Sequence, residues 1–317
     1  TVPAGTAARV KRTVQRMRPK DLPELEVASN PEFLREGKAI EDNLNPDRIL
    51  VGAESDHARE ALRGVYRPWL DEGYTYIETD IATAELSKHA CNAFLAMKIS
   101  YVNALARLCE RAGADVTQVA EVMGSDPRIG RAFLDAGLGY GGFCFPKDIQ
   151  AFERLSHRLG YDFGLLREVA RVNVEAVDAA FDKVVDALWN LEGKRVLLLG
   201  LAFKPNTDDV RLSPALALAE RLMTSGAEVV GYDPQAANEA KAELPTLEIL
   251  PDLDEAFNNA HAVVLCTEWS EFQDIDWKTA GEQMVHPVLV DARNLLDPAE
   301  MLEAGFAYYA MGRKDAG

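Results

Sequence analysis

Arg195-Val196-Leu197-Leu198-Leu199, closed by Gly200-Leu201-Ala202-Phe203-Lys204-Pro205-Asn206-Thr207-Asp208-Asp209-Val210-Arg211, is the stretch that decides the fold of the C-terminal part. A short apolar run between Gly193 and Gly200 reads as a strand buried on both faces. The same rhythm continues downstream, with a helix at 214–224, a strand at 228–232, a helix at 253–258, and strands at 262–266, 288–291 and 307–309. Alternating βα units imply an α/β domain with a mainly parallel, doubly wound sheet. Ligands of such sheets lie outside the carboxyl ends of the strands, where Gly200–Arg211 is expected. That loop lacks G-x-G-x-x-G and offers Phe203, Lys204, Asp208, Asp209 and Arg211 instead. Asp233-Pro234 ends the second strand as either a ribose-binding acid or a simple turn.

Upstream the pattern is helical at 163–191, 148–159, 128–136 and 115–123. Between Asp80 and Ala112 there is neither Gly nor Pro, and Leu86, Ala90, Ala93, Phe94, Met97, Tyr101, Leu105 and Leu108 recur at helical spacing. This predicts one helix of about 48 Å at 1.5 Å per residue. It reads either as the spine of one subunit or as a subunit interface. Further upstream, a helix at 6–17, short strands at 25–28 and 48–52, a helix at 56–69 and an extended piece at 75–79 make too few strands for a complete doubly wound domain. Thr1 to Thr6 reads as a strand end running into a helix, without an initiator methionine, so a preceding segment is expected.

The chain has 317 residues, enough for about two domains. Its formal charge of −17 argues against nucleic acid, whose phosphates require clustered Lys and Arg. Four widely spaced cysteines, Cys91, Cys109, Cys144 and Cys266, show no metal-ligand spacing and read as reduced thiols. No metal is expected. No membrane-length apolar run or signal peptide occurs, and a cytoplasmic location is expected. None of the five histidines sits in an HExxH or Ser/His/Asp context.

Gly139-Tyr140-Gly141-Gly142-Phe143-Cys144-Phe145-Pro146-Lys147-Asp148 carries the clearest chemistry. Glycines admit a ligand close to the backbone, and a cysteine is a nucleophile where its surroundings favour the thiolate. Lys147 favours that form and Asp148 can move protons. The plain alternative is a Gly-rich turn entering a helix with a structural cysteine. Glu32 and Glu36 are four apart, so on a helical turn both carboxylates face one way, and Lys88 and Asn92 share that spacing on the long helix. A solvated face explains either pair, but Leu86, Ala90, Cys91, Ala93 and Phe94 surround the second with apolar residues, which suits a desolvated lysine and oxyanion stabilisation. Arg128 either pairs with Asp126 or holds a ligand hydroxyl or phosphate.

Taken together, the chain resembles the nucleotide-sugar dehydrogenase family. The matching segments are Thr1-Val2-Pro3, Asn30 to Gly37, Glu85 to Lys88 with Asn92 to Ala96, Arg128-Ile129-Gly130, Gly139 to Asp148, Gly200 to Lys204 with Thr207 to Arg211, and Asp291 to Asn294. The resemblance implies three regions: a Rossmann NAD-binding domain ending at 79, a central region at 80–192 that forms a homodimer through the long helix, and a Rossmann-like UDP-binding domain at 193–317. The first is expected to be only a remnant, without the glycine fingerprint and acidic residue for the adenosine end of NAD.

The reaction implied oxidises the C6 alcohol of UDP-glucose to UDP-glucuronate with two NAD⁺ and one water. By this resemblance Cys144 attacks the C6 aldehyde, and the thioester formed after a second oxidation is hydrolysed. Lys88 stabilises the oxyanion, Asn92 holds substrate, Asp148 and Thr1 position or activate water, and Glu32 assists hydrolysis. Thr1, Val2, Glu36 and Arg211 contact the cofactor. Glu32, Phe33, Leu34, Lys88, Asn92, Arg128, Leu134, Gly139, Tyr140, Gly141, Phe145, Phe203, Lys204 and Arg293 line the substrate site. Two departures from the family pattern stand out: Phe143 where serine is usual, and Leu212 interrupting Arg-Glu-Ser-Pro. A GDP-mannose or UDP-N-acetylhexosamine specificity, or an inert sugar-nucleotide-binding module, are the alternatives.

Overall fold

The computed structural model describes residues 1–314. They form two compact units, Thr1–Phe94 with Lys147–Phe163, and Leu95–Pro146 with the described residues from Gly164 on.

In the first unit, β1 (Ile49–Gly52) and β2 (Tyr76–Thr79) pair in parallel, with Ile49 opposite Tyr76. The crossover between them carries α3 (Asp56–Val65) and α4 (Arg67–Asp71). Sequence pattern predicts one helix over 56–69, but Pro68 starts a new helix at its first turn, because proline donates no N–H and disfavours helical geometry before it. Ile49, Val51 and Ala53 pack against Ala58, Leu62, Tyr66, Trp69 and Tyr76. The expected strand at 25–28 has no ladder of its own, and only Ser29 bridges to Gly52. α1 (Thr6–Met17) runs as expected, and α2 (Ala39–Leu44) is short.

The uninterrupted stretch after Asp80 forms α5 (Ile81–Ala112), whose 32 residues span about 48 Å. Asp115 caps α6 (Val116–Gly124) by accepting from the Thr117 amide. The helix expected at 128–136 is absent. Gly130 and Phe133 adopt φ of 71° and 65°, in the left-handed region that a right-handed helix cannot pass through. α7 (Cys144–Arg158) starts four residues earlier than the pattern suggests, with Pro146 tolerated in the first turn, and α8 (Gly164–Leu188) follows.

The second unit holds a six-stranded sheet of β3 (Arg195–Leu199), β4 (Glu228–Tyr232), β5 (Glu248–Ile249), β6 (Ala262–Leu265), β7 (Val288–Asp291) and β8 (Ala307–Ala310). All its pairings are parallel, in the order β5-β4-β3-β6-β7-β8. This is the doubly wound arrangement, with the direction of winding reversing between β3 and β6. Leu197, Leu198, Leu199, Val263, Val264, Leu265, Leu289 and Val290 have no exposed surface, which explains their unbroken apolar runs. Each such side chain contributes about 1.5–3 kcal/mol of burial. Ala180 and Val184 of α8 and Leu218 and Leu222 of α9 (Pro214–Thr224) belong to this core.

Candidate active site

At the β3/β6 switch point the backbone is drawn tightly together. Gly200 has φ +90°, and a Cβ on it would lie 2.4 Å from the Thr267 Cβ, so only glycine fits. Asp233, at the end of β4, is 4% exposed and accepts five hydrogen bonds. Its Oδ2 takes the amides of Leu201 (2.7 Å) and Ala202 (2.9 Å) and the Trp269 indole (3.2 Å); Oδ1 takes the amides of Gln235 (2.9 Å) and Ala236 (2.7 Å). Of the two readings of this residue, the structure selects the turn: the carboxylate is spent on the loop that leads to Phe203 and Lys204. Ser213 and Thr267 donate to the Leu201 and Ala202 carbonyls and close the same loop.

Arg293 follows β7 at this edge. Its Nε donates to the Cys266 carbonyl (2.6 Å), its Nη2 to that of Phe203 (3.3 Å), and Glu268 pairs with it at 3.2 Å. Asp291 accepts from the Arg293 and Leu296 amides and the Tyr308 hydroxyl, and complete burial pushes its carboxyl up from the ordinary range. A guanidinium so fixed beside the strand ends is a natural counter-charge to a diphosphate.

The glycine loop lies against the same edge. The Gly142 amide donates to the Arg211 carbonyl (2.9 Å), and a Cβ at Gly142, where φ is +73°, would stand 2.8 Å from the Phe203 ring. Gly141 is equally confined, by the Leu212 carbonyl. Asn173 of α8 brackets the loop, accepting from the Tyr140 amide (2.7 Å) and donating to its carbonyl (2.9 Å). Sequence reasoning missed Asn173, for which the one available signal is an amide among Val169, Val172 and Ala176. Leu134 and Tyr140 are buried; burial pushes the Tyr140 hydroxyl up to about 12, and its ring meets Phe145 edge-on at 5.9 Å. Arg211 forks onto Asp209 (2.8 and 2.7 Å), and its guanidinium lies 4.8 Å from the Phe143 ring. The unusual Phe143 thus supplies a stacking surface for Arg211, while Leu212 is exposed with φ 52°.

Cys144 opens α7 and is exposed. Cys109 and Cys266 are buried, which pushes both thiols up, Cys266 to about 12, and Cys91 is half-buried. Arg128 stands in solvent, forked onto Asp126. Among the described residues no hydrogen bond or ion pair joins it to another candidate.

In the first unit the polar face of α5 comes together with the Asn30–Gly37 segment. Glu85, Lys88, His89 and Asn92 repeat at three- and four-residue intervals and are all buried, at 1, 5, 1 and 7% exposure. Lys88 Nζ lies 3.4 Å from Glu32 and 5.0 Å from the Phe33 ring. Arg48 covers that ring at 3.9 Å. Asn92 donates to Asp148 Oδ2 (2.6 Å), and Lys147 pairs with Asp148 Oδ1 at 2.9 Å. Asp148 is 1% exposed and lies one turn after Cys144 on α7. Glu32 and Glu36 do not share a helical face, because residues 31–38 are irregular; Glu32 instead accepts from the Leu34 amide at 2.7 Å. Thr1 and Val2 are exposed, ahead of the Ala4–Gly5 turn that leads into α1.

Residues 82–175 match the central domain of the UDP-glucose/GDP-mannose dehydrogenase family, residues 197–298 its UDP-binding domain, and residues 1–70 its NAD-binding domain. The last match corrects the expectation that most of the NAD-binding domain is lacking and only a remnant is left: residues 1–70 match the NAD-binding domain model of the family. The chain is 41% identical over 99% of its length to UDP-glucose 6-dehydrogenase YwqF of Bacillus subtilis, covering 71% of that protein. It is 43% identical over 99% of its length to a UDP-glucose 6-dehydrogenase of Rhizobium meliloti, covering 72% of it. The structure of a UDP-glucose dehydrogenase from the archaeon Pyrobaculum islandicum superposes with a TM-score of 0.90 at 38% identity, over 99% of this chain and 69% of that one. Three domain matches in family order, relatives above 40% identity and a shared fold carry one conclusion: the chain belongs to the UDP-glucose/GDP-mannose dehydrogenase family.

Proposed function

We propose that the chain oxidises the C6 alcohol of UDP-glucose to UDP-glucuronate with NAD⁺, through a covalent adduct on Cys144. The observation that carries this reading is that Cys144 alone of the four cysteines is exposed, and that it opens a helix at the end of the glycine loop. The relatives named above, each a UDP-glucose dehydrogenase, support UDP-glucose over other sugar nucleotides.

NAD⁺, when bound, would supply the hydride acceptor for both oxidations. By the family resemblance Thr1, Val2 and Arg211 are its cofactor-side residues: in the first unit Thr1 and Val2 are exposed, with the Val2 carbonyl held by His89, and in the second Arg211 is a half-exposed guanidinium held by Asp209. Glu36 is the remaining cofactor-side group. Cys144 Sγ adds to the C6 aldehyde, forming a C–S bond as the carbonyl oxygen gains charge. Lys88, buried, meets that oxyanion with an ammonium whose field is little screened. Once the adduct stands at the thioester level, water attacks it, the C–S bond breaks and the thiol is regenerated. Asp148 and Thr1 position that water, Glu32 assists its deprotonation, and Asn92 holds both substrate and Asp148.

By the resemblance, Phe203, Lys204 and Arg293 bind the UDP moiety, Phe33, Leu34, Leu134, Gly139, Tyr140, Gly141 and Phe145 are the sugar-side residues, and Arg128 adds an exposed cation. A homodimer through α5 completes the reading. Phe94, Tyr101 and Leu108 are 58, 57 and 60% exposed and seven residues apart, an apolar stripe that a second copy covers. Among the described residues no helix is long and apolar enough to cross a membrane. The test is Cys144→Ser: UDP-glucose binds as before while UDP-glucuronate formation stops. Unchanged UDP-glucuronate formation refutes the nucleophile.

A further inference from the structure

The polar face of α5 holds two groups that the chemistry above leaves unused. Glu85 is 1% exposed, and its Oε2 and Oε1 accept from the amides of Gly5 (2.6 Å) and Ala7 (2.8 Å) at the start of α1. These belong to the orphan donors of a helix N-terminus, where a carboxylate is also favoured by the macrodipole. One turn along α5, His89 Nε2 donates to the Val2 carbonyl at 3.1 Å. That contact sets the tautomer: Nε2 carries the proton, and Nδ1 is a buried acceptor without a partner. Burial, opposed by the Asp148 charge, keeps the imidazole below the ordinary histidine range and so neutral.

We propose that Glu85 and His89 are positioning residues: together they clamp the Thr1–Ala7 segment onto α5 at Val2 and at Gly5 and Ala7, and so register the cofactor-side backbone against Lys88 and Asn92. The two anchors alternate along one helical face with the two substrate-side groups, in the order Glu85, Lys88, His89, Asn92. A rigid helix carries all four, so the turn and the oxyanion-stabilising ammonium share one frame. A shift of about 1 Å in such a frame is enough to cost about a hundredfold in rate. A buried Glu and His on a helix that packs apolar residues elsewhere are otherwise costly, since each polar atom must be satisfied or leaves a penalty. The inference rests on the dehydrogenase reading above.

The test uses Glu85→Gln, His89→Phe and His89→Gln in the full chain. In ligand-free protein, amide hydrogen exchange at Gly5 and Ala7 accelerates at least about tenfold in Glu85→Gln, because a carboxamide accepts from one amide and turns its own N–H₂ toward the other. In His89→Phe, Kd for NAD⁺ by calorimetry rises about three- to tenfold while Kd for UDP-glucose stays within twofold; His89→Gln, which restores an N–H donor, recovers NAD⁺ binding. Equal weakening of both ligands, or no recovery in His89→Gln, shows general structural support and overturns the clamp, as does unchanged exchange in Glu85→Gln. Wild-type protein that binds neither ligand refutes the dehydrogenase reading itself. Wild-type protein that binds both, with variants indistinguishable from it, refutes the clamp alone.

Discussion

Replacing Asp233 by Asn swaps one carboxylate oxygen for an N–H₂ group and changes almost no volume. The carboxylate accepts three hydrogen bonds on Oδ2 and two on Oδ1, all but the Gln235 one buried. The least damaging amide orientation keeps the Oδ2 set and turns N–H₂ toward the Gln235 and Ala236 amides, so two bonds are lost and donors face donors. Hydrogen bonds to a charged group contribute about 1.5–3 kcal/mol each, which puts the cost at about 3–6 kcal/mol. With a urea m-value of about 3 kcal/mol/M, the unfolding midpoint of the second unit falls by about 1–2 M. Trp269 and Trp277, 4 and 5% exposed in that unit, report the transition by fluorescence. UDP affinity falls as well, because Leu201 and Ala202 lead directly to Phe203 and Lys204. A variant with an unchanged midpoint that no longer binds UDP refutes the reasoning, and returns Asp233 to the role of a ligand-binding acid.

Gly142→Ala tests the glycine loop. Alanine at φ +73° costs about 1–2 kcal/mol, and its Cβ meets the Phe203 ring at 2.8 Å, so UDP-glucose binding weakens at least tenfold while the far-ultraviolet spectrum is unchanged. Wild-type affinity in this variant shows that the loop and Phe203 do not need that approach. A pH effect on the first unit follows from His89. Its folded pKa is lowered by burial, so between that value and about 6.5 the unfolded state binds more protons than the folded one. Stability is therefore full above about pH 6.5 and falls as pH drops below it; the urea midpoint reported by Trp69 declines from pH 7.5 to 5.5, and His89→Phe removes that decline. A decline of equal size in His89→Phe assigns it to another group.

The chemistry of the chain was legible wherever it depended on neighbours in sequence. The 195–199 strand and the βα rhythm after it follow from apolar runs of strand length between glycines, and α5 follows from 32 residues without a breaker. The glycine loop announced its cysteine through residue type alone. Local signals also misled: the helical spacing of 128–136 said nothing of the left-handed turns at Gly130 and Phe133, and the four-residue spacing of Glu32 and Glu36 suggested a face that the irregular loop does not form. Other features were decided only by tertiary structure. Asn92 meets Asp148 across 56 positions, Glu85 reaches the Gly5 and Ala7 amides across about 80, and Asp233 gathers donors from three loops. The reason is physical. Backbone dihedrals and burial period are set by side chains within a few residues, so sequence by itself determined the elements and the residue types that carry the chemistry. Which buried donor finds which acceptor depends on where the chain returns in space, and that only the packed structure decided.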